Sequence, residues 1–245
     1  MPMRVFLAGA SGVIGTRMTP LLREAGYEVF GMTREADKAE ALRAAGAIPV
    51  IVDVFDASAL SQAVNATRPD VVIHQLTALP PGLDPNRMAE AIPRNARIRS
   101  EGTRNLVAAA RGAGARRLIA QSVAWAYAPG REPHVEDDPL DVESQGPRAV
   151  TVRGVATLEE LALGAAPIEG IVLRYGHLYG PGTGSAAAGE PPTLHVDAAA
   201  WAAVAAIERG QAGIYNVADE NRYVSVAKAR RELLWEATFR HGGRC

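Results

Sequence analysis

A glycine-rich turn early in the sequence constrains this chain more than any other stretch. Gly9, Gly12 and Gly15 lie between an apolar run, residues 5–8, and an amphipathic segment, residues 17–26. This spacing predicts a strand that enters a helix through a turn where the backbone passes close to a bound group. The free N–H groups and the dipole of such a helix start attract phosphate. We therefore expect a dinucleotide pyrophosphate here, with a purely structural glycine turn as the alternative; the expected contacts are Gly9, Ser11, Gly12, Val13, Ile14 and Gly15.

The overall composition limits the class of protein. With 245 residues, 48% of them hydrophobic, the chain can bury one substantial core, and we predict a single domain over residues 1–245. The net charge of -1 and the lack of a basic run exclude nucleic acid as a partner. The longest apolar helical run, residues 198–207, is too short to cross a membrane. The first strand is expected at Arg4 with no signal peptide ahead of it.

The cysteine usage bears on the compartment and on metals. Cys245 is the only cysteine, so there is no disulfide framework and no thiolate cluster to hold a metal. We expect a reducing, cytoplasmic setting and no metal site. The partner we expect is a small-molecule substrate, and assembly as a homodimer is left open.

Short apolar runs alternate with amphipathic stretches along the chain. This alternation predicts an α/β fold, a doubly wound parallel sheet covered by helices on both sides. A helix is expected over residues 101–111, and residues 3–175 should form mainly the dinucleotide-binding core. The predicted strands are residues 4–8, 27–32, 48–52, 70–74, 117–121 and 170–174.

The composition changes after Arg174. Residues 180–192 are rich in glycine and proline, and a helix over 197–209 and a strand over 214–217 follow. A last helix is expected to begin after Ser225 as its N-cap and to run to about Phe239. We predict that residues 176–245 form mainly a small, shortened C-terminal substrate lobe, with some segments returning to the core.

The end of the second predicted strand bears on the choice of cofactor. An NAD-specific site would place an acidic residue there to accept a hydrogen bond from the ribose 2′-hydroxyl, but Arg34 stands in its place. A guanidinium can pair with a 2′-phosphate, so the sequence favours NADP(H) over NAD(H). The alternative is a solvated surface arginine, and the adjacent Glu35 weakens the preference.

Two further strand ends are candidates for contact with the dinucleotide. Asp53, followed by Val54, ends the third strand, where its carboxylate can accept from the adenine amino group or instead cap the next helix. After the fourth strand, a bend of small residues, Leu76, Thr77 and Ala78, should pass beside the inner ribose. His74 is expected to be a packed strand residue rather than a ligand.

Six segments occur in an order and spacing that together are specific. They are Gly9-x-x-Gly12-x-x-Gly15, Asp53-Val54, residues 70–74 (DVVIH), 102–106 (GTRNL), 173–182 (LRYGHLYGPG) and 213–219 (GIYNVAD). Together they resemble the extended short-chain dehydrogenase/reductase family of nucleotide-sugar epimerases and dehydratases, over nearly the whole chain. The resemblance implies a Rossmann fold that binds NAD(P)(H) at the glycine loop and holds its substrate against a C-terminal lobe.

The chain departs from this family where catalysis is expected. The family uses a Tyr-x-x-x-Lys pair, but neither Lys38 nor Lys228 stands four residues after a tyrosine, and these are the only lysines. Counting back from the family's usual glutamate places Val152 and Ala156 at the pair's positions, and a slip of one residue supplies neither side chain. The family's catalytic Ser or Thr position is held by a valine, with Ser122 one residue away.

The remaining polar groups of the expected pocket supply the catalytic candidates. His177 follows the sixth strand, and an imidazole pKa of about 6.5 suits acid–base work without a helper lysine. Tyr127, with a pKa near about 10, is a poor base but an acceptable proton donor. Ser122 is either a hydrogen-bond partner of the substrate or a structural hydroxyl. Residues 132–138 are expected to form a solvated flap over the pocket; the substrate-binding candidates are Trp125, Tyr175 and Tyr179.

These inferences predict an NADP(H)-dependent oxidoreductase or epimerase with non-standard catalytic residues. Because few residues separate Gly182 from Thr193, where the family inserts a larger segment, the substrate should be a small, largely apolar metabolite that carries a carbonyl. One alternative is a non-redox lyase, isomerase or cyclase that reuses the pocket. The other is a catalytically silent, NADP(H)-binding regulator.

Overall fold

The computed structural model describes residues 2–242, so the lone cysteine, Cys245, lies outside the described residues. Within this range the strands are β1 (Arg4–Ala8), β2 (Glu28–Thr33), β3 (Ile48–Ile51), β4 (Val71–His74), β5 (Arg117–Val123), β6 (Glu169–Tyr175), β7 (His177–Tyr179), β8 (Thr193–His195) and β9 (Gly213–Val217). Seven of them form one parallel sheet in the order β3-β2-β1-β4-β5-β6-β9. Strands β7 and β8 form a separate parallel pair.

Helices cover both faces of the seven-stranded sheet. They are α1 (Val13–Glu24), α2 (Ala39–Ala44), α3 (Ala57–Thr67), α4 (Pro85–Arg97), α5 (Thr103–Gly112), α6 (Gly146–Leu163), α7 (Val196–Arg209) and α8 (Ala227–Leu233), with 3-10 turns at Ala36–Lys38 and Pro81–Leu83 and a π-helical turn at Ile98–Gly102. Helices α1 and α7 pack on one face, and α3, α5 and α6 pack on the other. The prediction of an α/β, doubly wound parallel sheet is therefore confirmed.

The alternation of side chains along each strand builds two separate cores. In β1, Val5 and Leu7 join the core under α1 and α7, whereas Phe6 and Ala8 join the core under α3 and α5. Successive strand residues point to opposite faces, so one short apolar run supplies both cores. The edge strand β3 is the exception, because Ile48 and Ile51 are exposed.

The direction of strand order reverses between β1 and β4. Ala8 at the end of β1 pairs with Met32 of β2 on one side and with His74 of β4 on the other. The carboxyl ends of these three strands therefore meet at a single edge. In sheets of this kind, ligands bind in the crevice at such a reversal point.

The C-terminal part of the chain differs from the prediction in its last helix. Helix α8 ends at Leu233, because Leu234 adopts a left-handed conformation with φ of 52°. This turn directs the fully buried Trp235 beneath α7, where its indole N–H donates to Ala198 O at 2.8 Å. The helix therefore stops six residues short of Phe239. At its start, Ser225 Oγ accepts from the N–H of Ala227 at 3.4 Å.

Residues 176–242 contribute both to the seven-stranded sheet with its helices and to the separate pair of β7 and β8. Helix α7 covers the sheet beside α1, and β9 pairs with β6 as the edge strand of the main sheet. The pair of β7 and β8 lies outside that sheet. No helix within residues 2–242 has the length and apolar character needed to cross a membrane.

His74, at the end of β4, is buried in the core beside α5. Its Nδ1 accepts from the N–H of Leu76 at 3.2 Å, so Nε2 carries the proton and donates to Thr103 Oγ1 at 2.9 Å. Burial lowers the pKa of His74 to about 4, and the charge of Arg99 contributes in the same direction. The imidazole is therefore neutral at pH 7 and fixed in one tautomer.

We expect the stability of the protein to depend on pH through His74. Its pKa is about 6.5 when unfolded and about 4 when folded, so the unfolded state binds more protons between these values. The stabilisation is complete above pH 6.5 and decreases by about 3 kcal/mol as the pH falls to 4. Denaturant unfolding at several pH values should show a flatter curve for His74→Gln than for the wild type. Identical curves for His74→Gln and the wild type would contradict this role.

Candidate functional site

The three glycines of the first turn differ in what a side chain at each position would meet. Gly9 has φ of 93°, and a Cβ there would lie 2.7 Å from the backbone oxygen of Gln75. A Cβ on Gly15 would overlap the backbone oxygen of Gly9. Gly12 is exposed, and a Cβ there would meet only the Gly9 oxygen, at 3.2 Å. Gly9 and Gly15 are thus required by the turn itself, whereas Gly12 leaves its outer surface open to a ligand.

The start of α1 presents backbone donors at this turn. The first intrahelical hydrogen bond runs from Thr16 N to Gly12 O at 3.0 Å, so the N–H groups of Val13, Ile14 and Gly15 precede it. No acidic side chain lies in the first turn of this helix. A helix start with free donors and no competing carboxylate fits a pyrophosphate.

The end of β2 lies directly beside the glycine turn. Ser11 Oγ lies 3.3 Å from Thr33 Oγ1, and the Thr33 hydroxyl accepts from the N–H of Glu35 at 3.2 Å. Arg34 is largely exposed, and its Nε lies 3.9 Å from Glu35 Oε1. This weak, solvated ion pair leaves the guanidinium available to a ligand at the same edge.

Asp53 and Val54 follow β3 and have different surroundings. Asp53 is exposed, and its Oδ1 accepts from the N–H of Phe55 at 2.9 Å, while the N-cap of α3 is Asp56. Asp53 therefore stabilises a local turn and does not cap the helix. Val54 is buried against Gly102, and its carbonyl accepts from Asn105 Nδ2 at 3.0 Å.

The bend after β4 is fixed on both sides. Gln75 N donates to Ala8 O at 2.8 Å, which ties the bend to β1. Ala78 N donates to the side-chain oxygen of Asn95 at 3.0 Å, and Asn95 is buried. The bend of Leu76, Thr77 and Ala78 is thereby held next to the glycine turn, with Thr77 exposed.

The Ser122 hydroxyl makes a buried hydrogen bond between the sheet and α6. Its hydroxyl donates to Glu159 Oε1 at 2.5 Å, and the same carboxylate accepts from Arg174 Nε at 2.9 Å and Nη2 at 2.6 Å. All three side chains are buried. The geometry matches the structural-hydroxyl alternative for Ser122.

The buried carboxylate also bears on the register of the missing catalytic pair. Of two consecutive glutamates in α6, Glu159 is buried against the sheet and Glu160 is exposed. Counting back from Glu159 moves the pair's positions to Thr151 and Val155. Neither register supplies a tyrosine or a lysine, and valines fill the space, forming an apolar cluster of Val123, Ala126, Val152 and Val155 with Trp125 and Leu140 at its margin.

Tyr127 is enclosed by polar and aromatic neighbours. Its hydroxyl donates to Asn216 Oδ1 at 2.7 Å, its ring stacks on His134 at 4.8 Å between ring centres, and the Arg174 guanidinium lies 4.8 Å from its ring centre. Burial raises the pKa of Tyr127 above its ordinary value. The phenol proton is thus held inside the protein.

The acidic segment over residues 132–138 is bonded to the segment that follows β9. His134 N donates to Tyr223 O at 2.7 Å, and Ser225 N donates to His134 O at 2.8 Å. Glu136 Oε1 accepts from the N–H of Asn216 at 2.9 Å. The expectation of a solvated flap is therefore wrong for the inner side of the segment, because these bonds hold it against Tyr127. Within residues 2–242, no three metal-ligating side chains converge.

The aromatic substrate candidates fall in separate places. Tyr175 is 1% exposed and donates to Ala199 O at 3.0 Å, on the face of the sheet covered by α7. Tyr179 is half-buried, contacts His195 edge-on, and its hydroxyl accepts from Arg240 at 3.3 Å. The structure therefore does not bring these two rings together with Trp125.

Trp125 and His177 form a stacked pair. Their ring centres are 5.5 Å apart and their planes differ by 5°. His177 lies at the surface, and its partial burial lowers its pKa. Trp125 also packs against the apolar cluster, and the stacked pair is called the aromatic wall below.

The arrangement groups the predicted residues into three sets. The glycine turn, Arg34 and the bend after β4 share one edge; Ser122 and Tyr127 join a buried polar network; Trp125 and His177 form the aromatic wall. Sequence reasoning missed the buried polar residues that hold these sets in place, because a single polar residue in an apolar stretch gives no signal of its contacts. These residues are Asn95, Arg99, Glu159, Arg174 and Asn216.

Comparison with known proteins identifies relatives of the chain. A 3-diazoavenalumate denitrifying reductase from Streptomyces sp is 45% identical over 240 residues, which cover 89% of this chain and 76% of that protein. A dTDP-4-dehydrorhamnose reductase from Streptomyces griseus is 31% identical over 182 residues, which cover 73% of this chain and about half, 51%, of that protein.

Solved structures and a family model agree on the fold. The UDP-glucose 4-epimerase of Thermotoga maritima superposes with a TM-score of 0.77 at 19% identity, covering 98% of this chain and 95% of that chain. The Bordetella bronchiseptica enzyme WbmH, in complex with NAD+, superposes with a TM-score of 0.71 at 20% identity, covering 91% and 77%. The model of the NAD dependent epimerase/dehydratase family matches residues 5–193, and the chain belongs to that family.

Proposed function

We propose that this protein is an NADPH-dependent reductase whose site delivers a hydride without a dedicated proton donor. The observation that carries this proposal is the state of the hydroxyl groups. Ser122, Tyr127 and Tyr175 all donate their protons to buried acceptors inside the protein. Neither register of α6 supplies a tyrosine or a lysine at the place of a proton-transferring pair, and Val152 and Val155 join the apolar cluster there.

The chemical group that accepts the hydride decides whether a site without a proton donor is sufficient for the reaction. A carbonyl that accepts a hydride on carbon also needs a proton on oxygen. A diazonium carbon that accepts a hydride forms a C–H bond while the C–N bond breaks, and the C–N electron pair leaves with neutral dinitrogen. This second reaction balances in charge and needs no proton. It suits a site without an acid.

The relative at 45% identity supports a diazo compound as the substrate. Its name describes a reductase that removes nitrogen from 3-diazoavenalumate, a diazo-bearing carboxylate. We therefore propose, as the substrate class, a compact, largely apolar carboxylate whose diazo group has taken up a proton from solution and reaches the site as a diazonium ion, so that the protein supplies no proton. The stacked rings of Trp125 and His177 suit a flat aromatic body, and the apolar cluster excludes water that would consume a reactive diazonium.

The residues at the reversal point would hold the dinucleotide, which supplies the hydride. The N–H groups of Val13, Ile14 and Gly15 would bind the pyrophosphate, and Ser11 would flank it. Arg34 would pair with the 2′-phosphate. Asp53 and Val54 would lie beside the adenine, and residues 76–78 beside the inner ribose.

Carbonyl reduction is the second candidate function. The dTDP-4-dehydrorhamnose reductase, at 31% identity, favours it. In that case His177 is the proton donor, because its imidazole lies at the surface beside Trp125, whereas Tyr127 is enclosed.

For either substrate the proposal includes a cytoplasmic setting, and assembly as a homodimer stays a prediction.

The glycine turn provides a test of dinucleotide binding. Gly12→Val should abolish NADPH binding with little change in thermal unfolding, because its Cβ would meet only the Gly9 oxygen and would occupy the open surface. Gly15→Ala is the matched contrast, since its Cβ would overlap backbone atoms and should destabilise the fold. Calorimetric titration and thermal melts measure both effects. Unchanged NADPH affinity in a folded Gly12→Val would make the turn purely structural.

Arg34 provides a test of cofactor choice. We expect NADPH to bind more tightly than NADH by roughly 10- to 100-fold, the range for charge-assisted hydrogen bonds. Arg34→Ala should remove this difference by weakening NADPH alone. Arg43→Ala, an exposed arginine paired with Glu40, is the control and should keep the difference. Equal dissociation constants in the wild type would contradict the assignment.

His177 separates the two candidate reactions. With 4-carboxybenzenediazonium, His177→Phe should retain most activity, and the rate should show no titration of His177. With 4-carboxybenzaldehyde, the same variant should lose about 100-fold, the usual contribution of a positioned acid. The acid form of His177 predominates only below its pKa, which burial lowers from 6.5. Carbonyl reduction should therefore slow as the pH rises through that lowered pKa.

The readouts for this test are NADPH oxidation and the product, benzoate with dinitrogen or the benzyl alcohol. Tyr127→Phe is the control, since its enclosed hydroxyl should affect neither rate by more than a few-fold. An equal 100-fold loss on both substrates in His177→Phe would contradict a reaction that needs no proton.

A further inference from the structure

Arg99 is a buried arginine that none of the roles above includes. It lies in the π-helical turn Ile98–Gly102, is 7% exposed, and donates from Nη1 to Thr151 O at 3.3 Å. A Cβ on Gly154 would lie 3.6 Å from Arg99 Cδ, so the side chain passes between α4 and α6 at a closely packed point. Single π-helical turns occur frequently at functional sites.

Within the described residues no carboxylate pairs directly with Arg99, although the charge of the nearby Glu159 acts to raise its pKa. A buried guanidinium normally pairs with a carboxylate, because an isolated buried charge is costly. Among residues 2–242, Arg99 takes part in no ion pair. The nearby Glu159 is already bonded to both Nε and Nη2 of Arg174 and to the hydroxyl of Ser122. The site thus holds two buried guanidinium groups and one carboxylate.

The groups around Arg99 lie at the carboxyl edge of the sheet. His74, whose pKa Arg99 helps to lower, ends β4, and Glu159 bonds to Ser122 near the end of β5. The bend over residues 76–78, which would lie beside the inner ribose, begins two residues after His74. Arg99 therefore lies near the carboxyl ends of β4 and β5, at the edge of the sheet where ligands of this fold bind.

Arg99 also has free hydrogen-bonding capacity. A guanidinium carries five N–H donors, and within the described part of the chain only Nη1 has an acceptor. Nε and Nη2 are not fully sealed from solvent, since neither is among the buried polar atoms without a partner. Burial lowers the pKa of Arg99 to about 10, so the group stays charged at neutral pH.

We propose that Arg99 is the anion-binding residue of the site and that it receives the carboxylate of the substrate. The identity of the anion rests on the proposed function, whereas the need for an anion rests on the uncompensated charge. A carboxylate on Nε and Nη2 would restore the balance of two cations and two anions around α6. It would also fix one end of the substrate while its flat body lies along Trp125 and His177.

The test uses a carboxylate and its uncharged isostere. Calorimetric titration of the intact, NADPH-saturated protein with cinnamate and with cinnamamide compares the two. We expect the wild type to favour cinnamate by about 10-fold or more, the effect of a hydrogen-bonded charge pair. Arg99→Met should bind the two compounds equally. Arg94→Met, an exposed arginine on α4, makes the same change in net charge and should keep the preference.

Two further measurements separate this role from a structural one or a cofactor role. The melting temperature of Arg99→Met should be unchanged or raised, because removal of an unpaired buried charge relieves a cost. Its NADPH affinity should stay within twofold of the wild type. A large loss of NADPH affinity would place the guanidinium on the dinucleotide and overturn the proposal.

Equal affinity of the wild type for cinnamate and cinnamamide would also overturn the proposal, whether or not Arg99→Met folds. So would a preference that survives in Arg99→Met. Cinnamate carries no diazo group. A failure of diazo reduction therefore leaves this experiment intact, and a failure here leaves hydride transfer to a diazonium open to its own test.

Discussion

The buried ion pair of Glu159 and Arg174 is the interaction on which the arrangement of the site depends. It joins α6 to β6, fixes Ser122 of β5 through the same carboxylate, and reaches residues 132–138 through the bond from Arg174 Nη1 to Glu136 O at 3.1 Å. Removing one partner of such a pair leaves an uncompensated charge and typically costs about 3–5 kcal/mol. The positions of Ser122 and Tyr127 are therefore consequences of this pair.

The sequence predicted well what short stretches determine. The glycine turn and all seven strands of the main sheet follow from local patterns, and the observed strand bounds differ from the predicted ones by at most two residues. The surroundings of Ser122 and Tyr127 could not be predicted, because their partners, Glu159 and Asn216, lie 37 and 89 residues away along the chain. The end of the last helix likewise depends on the burial of Trp235 beneath a distant element.

The two ends of the site have different chemical character. The end built from α1, β2 and the bend after β4 presents backbone donors and an exposed arginine, which suits an anionic dinucleotide. The end built from β5 and α6 is apolar, with its hydroxyl groups turned inward. This division agrees with the proposed reduction, in which the loss of a leaving group completes the reaction and no proton has to be delivered.

The attachment of residues 132–138 has a consequence for how ligands enter. Lifting this segment would break four hydrogen bonds, those between His134 and Tyr223, His134 and Ser225, Glu136 and Asn216, and Glu136 and Arg174. At about 1 kcal/mol each, the detached form would be populated on the order of one molecule in a thousand. The segment is therefore attached in nearly all molecules, and it shields Tyr127, which is 6% exposed, from solvent and from ligands on this side.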